Sequence, residues 1–210
     1  MKIHGTAKGG AESKKDFGVA FGGGAPSKDY SWVDVQNAYN IDETEITRNA
    51  NVAEGWNAYC LSTEGSPAAT GLTISGITGG NASEYVAFTW LDGSNNPRGY
   101  SSGNWDENVM SYGFYFTDHP DEDGALVRIN GVTQNCTSGC TGNGHTYTAN
   151  STPLKVVMTA DDVKFYVDTT LVYTANSGTS QQPDASKTYY MIGSVYRSES
   201  LAGKVTGEMA

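Results

Sequence analysis

Between Asp92 and Asp106 the chain reads Asp-Gly-Ser-Asn-Asn-Pro-Arg-Gly-Tyr-Ser-Ser-Gly-Asn-Trp-Asp, which gathers amide, carboxylate, guanidinium and aromatic groups into one segment. Sugar recognition needs an aromatic ring against the C–H face of a pyranose, with polar groups beside it to read the hydroxyls. Tyr100 and Trp105 are candidates for the platform, and Asp92, Asn95, Asn96, Arg98 and Asn104 for the polar readers. The competing reading is structural: Trp105 caps the core, while the Asn and Gly residues only make turns.

Other chemistries are less well supplied. Cleaving a glycosidic bond takes two carboxylates flanking the scissile oxygen. The densest acids, Asp118, Asp121, Glu122 and Asp123, fall in a Pro- and Gly-bearing loop, and Asp106-Glu107 stands apart. No Gly-x-Ser-x-Gly elbow is placed between a strand and a helix. His4, His119 and His145 are widely spaced, and Cys136-Thr-Ser-Gly-Cys140 has no second pair of zinc ligands nearby. Cys136 and Cys140 read as a small disulfide pinning a loop, with a reduced pair as the alternative, and Cys60 reads as a buried thiol. Laid on an EF-hand loop, Asp121, Asp123 and Gly124 fall in register, but His119 takes the first ligand position and Asn130 the last, so that motif fails. A looser oxygen site from Asp118, Asp121 and Asp123 would accept Ca2+; the alternative is a solvated acidic turn. No other cofactor is expected.

The elements that must carry these groups are short strands. The chain has 210 residues, with 17% charged, 26 Gly and 13 Tyr, and no long stretch of helical period. That composition favours β-structure joined by Gly- and Asn-rich turns. The net charge of −10 argues against a phosphate-binding face, so no nucleic-acid partner is expected. No apolar run is long enough to span a bilayer as a helix. The start Met1-Lys-Ile-His-Gly shows no apolar core of a secretory signal peptide.

Strands are expected over Trp32–Val35, Ala58–Leu61, Leu72–Ile77, Tyr85–Leu91, Ser111–Phe116, Ala125–Ile129, Thr146–Thr148, Leu154–Thr159, Tyr189–Tyr196 and Gly203–Thr206. Turn signals lie at Asp92–Pro97, Asp123-Gly124, Asn130-Gly131 and Ser177-Gly178. The one short helix expected is near Asn40 to Ala50, opened by Asp42-Glu-Thr-Glu45. In Asp162-Val-Lys-Phe-Tyr-Val-Asp-Thr-Thr-Leu-Val-Tyr-Thr-Ala175, Val163, Phe165 and Val167 alternate with Lys164, Tyr166 and Asp168, so one face is apolar and Leu171-Val-Tyr173 returns. A dozen such strands point to an antiparallel two-sheet sandwich.

This meander, with Leu154-Lys-Val-Val-Met158 before it, resembles that of concanavalin A-like, laminin-G-type jelly-roll sandwiches. In that family a hydrophobic–Tyr–hydrophobic–Asp–Gly strand end turns into the next strand. Ser111-Tyr-Gly-Phe-Tyr-Phe116, Ala125-Leu-Val-Arg-Ile-Asn-Gly131 and Tyr190-Met-Ile-Gly-Ser194 extend the resemblance to roughly residues 30–208. Here Thr169 stands where the family has Gly, so the expectation is a longer loop running through Thr170. The glucanase branch of the fold carries Glu-x-Asp-x-x-Glu on one strand; that string is missing, which disfavours hydrolysis. Residues 1–28, with Lys2, Lys8, Lys14, Lys15 and a Gly22-Gly-Gly-Ala-Pro26 hinge, are similar to the starts of structural proteins from phages and viruses of aquatic microbes.

The resulting expectation is an N-terminal arm over 1–28 and a lectin-like β-sandwich over 29–210. The alternative for the arm is an ordinary first strand through Phe17, Val19 and Phe21 behind a frayed terminus. The resemblance implies a non-enzymatic virion or surface protein made in the host cytoplasm, docked through 1–28 on other subunits, homo-oligomeric, and binding cell-surface glycan. A ligand-free capsid-decorating or assembly protein is the second reading, and a glycan-active hydrolase or lyase the third.

Overall fold

The computed structural model describes residues 32–36, 39–42, 45–48, 59–79, 84–98, 100–101, 104–105, 111–117, 124–134, 153–175, 180–195 and 204–210. The arm over 1–28, the Thr146–Thr148 strand and the turns at Asp123 and Ser177-Gly178 lie outside these residues. In chain order the strands are β1 (Trp32–Gln36), β2 (Tyr39–Asp42), β3 (Glu45–Arg48), β4 (Tyr59–Ser62), β5 (Ser66–Pro67), β6 (Leu72–Gly79), β7 (Glu84–Trp90), β8 (Tyr100–Ser101) and β9 (Asn104–Trp105). They continue as β10 (Tyr112–Thr117), β11 (Gly124–Ile129), β12 (Val132–Thr133), β13 (Leu154–Met158), β14 (Val163–Val167), β15 (Thr170–Ala175), β16 (Thr188–Val195) and β17 (Lys204–Met209).

One sheet runs β1-β4-β16-β7-β10-β11-β12, with β5 beside β16; the other runs β15-β14-β13-β6-β17-β3-β2. All strand pairings among the described residues are antiparallel, so the fold is an all-β jelly-roll sandwich, as the alternating patterns require. Val86 and Phe88 of β7, Tyr112, Phe114 and Phe116 of β10 and Val127 of β11 face Ile74, Val156, Met158, Val163 and Phe165 of the second sheet, all buried. Removing this much apolar surface from water, at about 25 cal/mol per Å2, is the main force holding the two sheets face to face.

Two local devices keep that register. Ile74 and Ile77 both point inward although they are three apart in sequence, because β6 bulges opposite Lys155 and Gly76 there takes φ 62°. In the Asn130-Gly131 turn, Asn130 and Gly131 have φ 49° and 82°, and Ile129 pairs with Val132. Two successive positive φ values match the twist of a tight hairpin, which is why Asn-Gly belongs there.

Two expectations are corrected. Residues near Asn40 to Ala50 form no helix where described: β2 and β3 pair as a hairpin, Ile41 opposite Ile46, and β3 pairs with β17. The β-branched residues Ile41, Ile46 and Thr47 and the waiting sheet edge override the acidic opening that suggested a helix. The β14–β15 turn is not lengthened through Thr170, which pairs directly with Val167. The strain is moved back one residue: Asp168 takes φ 52°, a conformation that Asp tolerates better than most side chains, and Thr169 avoids it.

The outer faces of the two sheets differ. On the first sheet Tyr59, Leu61, Tyr85, Ala87 and Ile192 form a second buried cluster, so the middle of that sheet is closed to solvent on both faces. On the second, the outward residues of the hairpin engage each other. Lys155 lies 4.5 Å over the Tyr166 ring, and Lys164 bonds Asp162 at 2.9 Å.

Candidate functional site

The segment that could read a sugar begins where β7 leaves the sheet. Leu91 and Pro97 form a bridge that closes Asp92–Asn96 into a tight loop. Inside it Asp92 Oδ1 accepts the amides of Ser94 at 2.8 Å and Asn96 at 2.9 Å. The Asp92 amide donates to Asn96 O at 2.8 Å, and the Asn95 amide to Asp92 O at 3.0 Å. Asn95 takes φ 64°, again a residue type that accepts a left-handed backbone. Asp-Gly-Ser-Asn-Asn-Pro thus folds on itself because a short carboxylate can stand in for a backbone acceptor.

Those amide donors, Asn96 first and Ser94 second, hold the Asp92 carboxyl below its ordinary value. A depressed folded pKa means that the loop's stabilisation is present above the ordinary carboxylate range and is lost as pH falls through the folded value. Hydrogen exchange at Ser94 and Asn96 is therefore expected to lose protection on acidification, and Asp92→Ala to show the same loss at neutral pH. Protection indifferent to both changes would remove the carboxylate from this role.

Arg98 anchors the loop to the end of the sandwich. Its amide donates to Trp90 O at 2.9 Å, its guanidinium carbon lies 4.6 Å from the Trp90 ring centroid, and its Nη1 donates to Asn130 Oδ1. A planar cation over the indole face is held in place by the ring's negative face. Desolvation lowers the Arg98 pKa, opposed by the nearby Tyr112 and Tyr189. Trp90 meets Tyr189 edge-on at 5.9 Å, and Tyr189 meets Tyr112 at 6.2 Å.

Both phenols reach the segment crossing this end. Tyr112 donates to Gln182 O at 3.0 Å, and the Asp184 amide donates to the Tyr189 hydroxyl at 2.8 Å. Burial pushes the Tyr189 phenol up to about 12 and also raises that of Tyr112, so both stay protonated and act as fixed hydrogen-bonding groups. Beside them Tyr173 donates to Gln134 Oε1 at 2.8 Å, and Gln181 Nε2 donates to the same oxygen at 2.9 Å. The platform under the loop is therefore rigid, and it joins both sheets to the 180–187 segment.

The structure brings Asp92, Asn95, Asn96 and Arg98 into one loop. Asp92, Ser94 and Asn95 are exposed at its tip, while Asn96 and Arg98 are half-buried. Tyr100 and Trp105 are register partners in the β8–β9 ribbon, with Ser101 opposite Asn104. The side chains of Tyr100, Asn104 and Trp105 lie outside the described part. Asp118, Asp121 and Asp123, and Cys136 and Cys140, lie outside the described residues altogether. Among the described residues no group of three or more His, Cys, Asp or Glu side chains converges. Cys60 is a buried free thiol, as expected.

Sequence reasoning did not find the support: Trp90, Asn130, Tyr112, Tyr189 and the 180–187 segment. The Asn-Gly turn was legible at Asn130, but nothing local says that Arg98, 32 residues away, reaches it.

The chain matches no family model and no curated protein. Among solved structures it is similar to the TRIM65 PSpry domain, at TM-score 0.52 and 10% identity over 86% of this chain and 92% of that one. It is also similar to stonustoxin, at TM-score 0.51 and 12% identity, covering 87% of this chain but 28% of that one. Carbohydrate-binding module CBM66 from Bacillus subtilis aligns at TM-score 0.45 and 14% identity, over 85% of this chain and 92% of that one. At these identities the likeness of the first two establishes the fold alone, a jelly-roll β-sandwich.

Proposed function

We propose that this protein is a non-enzymatic, lectin-like binding module that contacts a neutral glycan through the Asp92–Trp105 segment. The observation that carries the reading is the braced loop. Arg98 stacks on Trp90 and bonds Asn130, so the exposed polar tip at Asp92–Asn95 is presented on a rigid base. The adjoining ribbon pairs Tyr100 with Trp105 across two short strands, beside that tip in sequence. Rigid presentation lowers the ordering cost that binding must overcome. Ca2+ held by Asp118, Asp121 and Asp123 and a Cys136–Cys140 disulfide remain part of the proposal.

Residues 1–28 are proposed to seat the module on a virion or other surface, or on further copies of the chain. Their Lys-rich, hinge-ended composition, set against an acidic remainder, supports that reading.

One observation favours the second reading, a structural module without ligand: Asp92 and Arg98, the charged members of the loop, are both engaged within the protein. A glycan array separates the two. The full chain is expected to bind a defined subset of glycans and Trp105→Ala to lose that binding, while a chain lacking residues 1–25 keeps binding but loses self-association. An array without hits would favour the structural reading, and unfolding of the truncated chain would make the arm a core strand.

A further inference from the structure

Asn130-Gly131 serves the fold as a turn, yet three features around it prepare a different chemistry. The Asn130 carbonyl oxygen accepts a hydrogen bond from the Arg98 guanidinium, which polarises Cγ and would stabilise negative charge developing on Oδ1. The amide nitrogen Nδ2 reaches Ser180 O at a long 3.4 Å, and the Asn130 side chain also bonds the Tyr112 phenol. Among the described residues no hydrogen bond engages the Gly131 N–H, whereas the neighbouring Asn130 N–H donates to Ser111 O at 2.8 Å. Glycine at the following position also places no Cβ in the way of its own nitrogen. An activated carbonyl and an unengaged nucleophile thus lie on adjacent residues.

We propose that Asn130 is a site of self-modification: the Arg98 guanidinium promotes its conversion to aspartate or isoaspartate through a succinimide. The Gly131 nitrogen attacks Asn130 Cγ, forming an N–Cγ bond and giving its proton to water. The charge gathered on Oδ1 in the tetrahedral centre is met by the Arg98 donor. Collapse breaks the Cγ–Nδ2 bond, and the departing nitrogen takes up a proton to leave as ammonia. Water then opens either carbonyl of the ring. The net change is amide plus water to acid plus ammonia, with no oxidant or cofactor.

The consequence falls on the braced loop. Aspartate would set a carboxylate against the Arg98 guanidinium and turn a bond from a cation to a neutral amide into an ion pair, tightening the anchor. Isoaspartate would add a main-chain methylene inside the turn and disturb the pairing of Ile129 with Val132.

The native full chain can be aged in warm, mildly alkaline buffer and mapped by peptide mass spectrometry. Asn143-Gly144, the same dipeptide elsewhere in the chain, serves as internal reference. Folded protein is expected to convert Asn130 at least as fast as urea-denatured protein. Arg98→Met is expected to slow Asn130 on the order of tenfold, less than the loss of an enclosed oxyanion donor causes in enzymes. Arg98→Lys should recover part of that rate, and Asn143 should not respond to either change. Slower conversion in the folded than in the denatured chain would overturn the proposal, as would equal Asn130 rates in wild type and Arg98→Met. If Arg98→Met fails to fold, the folded-against-denatured comparison decides alone.

Discussion

Phe165→Ala is expected to lower the stability of the folded chain by about 3–5 kcal/mol. The ring is fully buried in β14 and meets Phe114 of β10 edge-on, with centroids 5.6 Å apart and planes at 81°. On its other side it meets Tyr173 of β15 at 6.2 Å. The Phe114 contact crosses from one sheet to the other, so truncation opens a cavity in the layer that joins them. The backbone on both sides is fixed by ladders, β13–β14–β15 in one sheet and β7–β10–β11 in the other, which leaves little room for collapse. Domains of this size are stable by only about 5–15 kcal/mol, so a large share of the total goes. Urea titration should show a lower midpoint with an unchanged slope. The adjacent Tyr166, half-exposed on the opposite face of the same strand, provides the contrast: Tyr166→Ala should cost less than about 1 kcal/mol. Similar costs at the two positions would mean that the strand's faces are wrongly assigned.

Gly113→Ala is expected to destabilise by about 3 kcal/mol, the upper end of overpacking costs. The sign is the informative part. On backbone entropy and strand propensity alone, replacing glycine in a strand interior should help by about 0.5–1 kcal/mol. A Cβ at Gly113, however, would lie 2.3 Å from Ala87 Cβ and 2.4 Å from Val86 O. Carbon atoms are comfortable at about 3.5–4.0 Å, and the obstacles here are backbone and a β-carbon, neither of which can swing aside. β7 and β10 would have to move apart at the centre of their sheet, where Gly113 pairs with Ala87. Thermal denaturation reads the result directly: a raised midpoint would show that propensity outweighs the clash and that the two strands are less closely packed than described.

The contrast between these sites and the candidate site explains what the sequence could reveal. Phe165 announces itself by alternation with Lys164 and Tyr166, and Asn130-Gly131 by its fit to a tight turn; both signals are local, and both elements formed as read. Asp168 was harder, because the sequence shows that Thr169 is a poor host for positive φ but not that the preceding residue would take the strain. The Asn40–Ala50 segment failed because its partner, β17, lies at the other end of the chain. The very short strands β5, β8, β9 and β12 carry too few residues to show any period. At the candidate site, residue types were legible and engagement was not. Asp92 looked like a ligand reader and spends one oxygen on its own loop, while Arg98 is committed to Trp90 and to Asn130. A charged group's partner is a tertiary fact, and no pattern around Arg98 encodes it.

Under the proposed function the Asp92–Trp105 segment, braced on Trp90 and Asn130, contacts the ligand. An amide-resolved NMR titration of the full chain with the best-bound glycan from an array decides the point. Shift changes are expected to concentrate at Ser94, Asn95, Asn96, Tyr100 and Trp105, to saturate together, and to be lost in Trp105→Ala while the spectrum of the folded sandwich persists. Saturable changes clustered elsewhere, such as around Lys155 and Tyr166 on the second sheet, would contradict it, as would binding that survives Trp105→Ala unchanged.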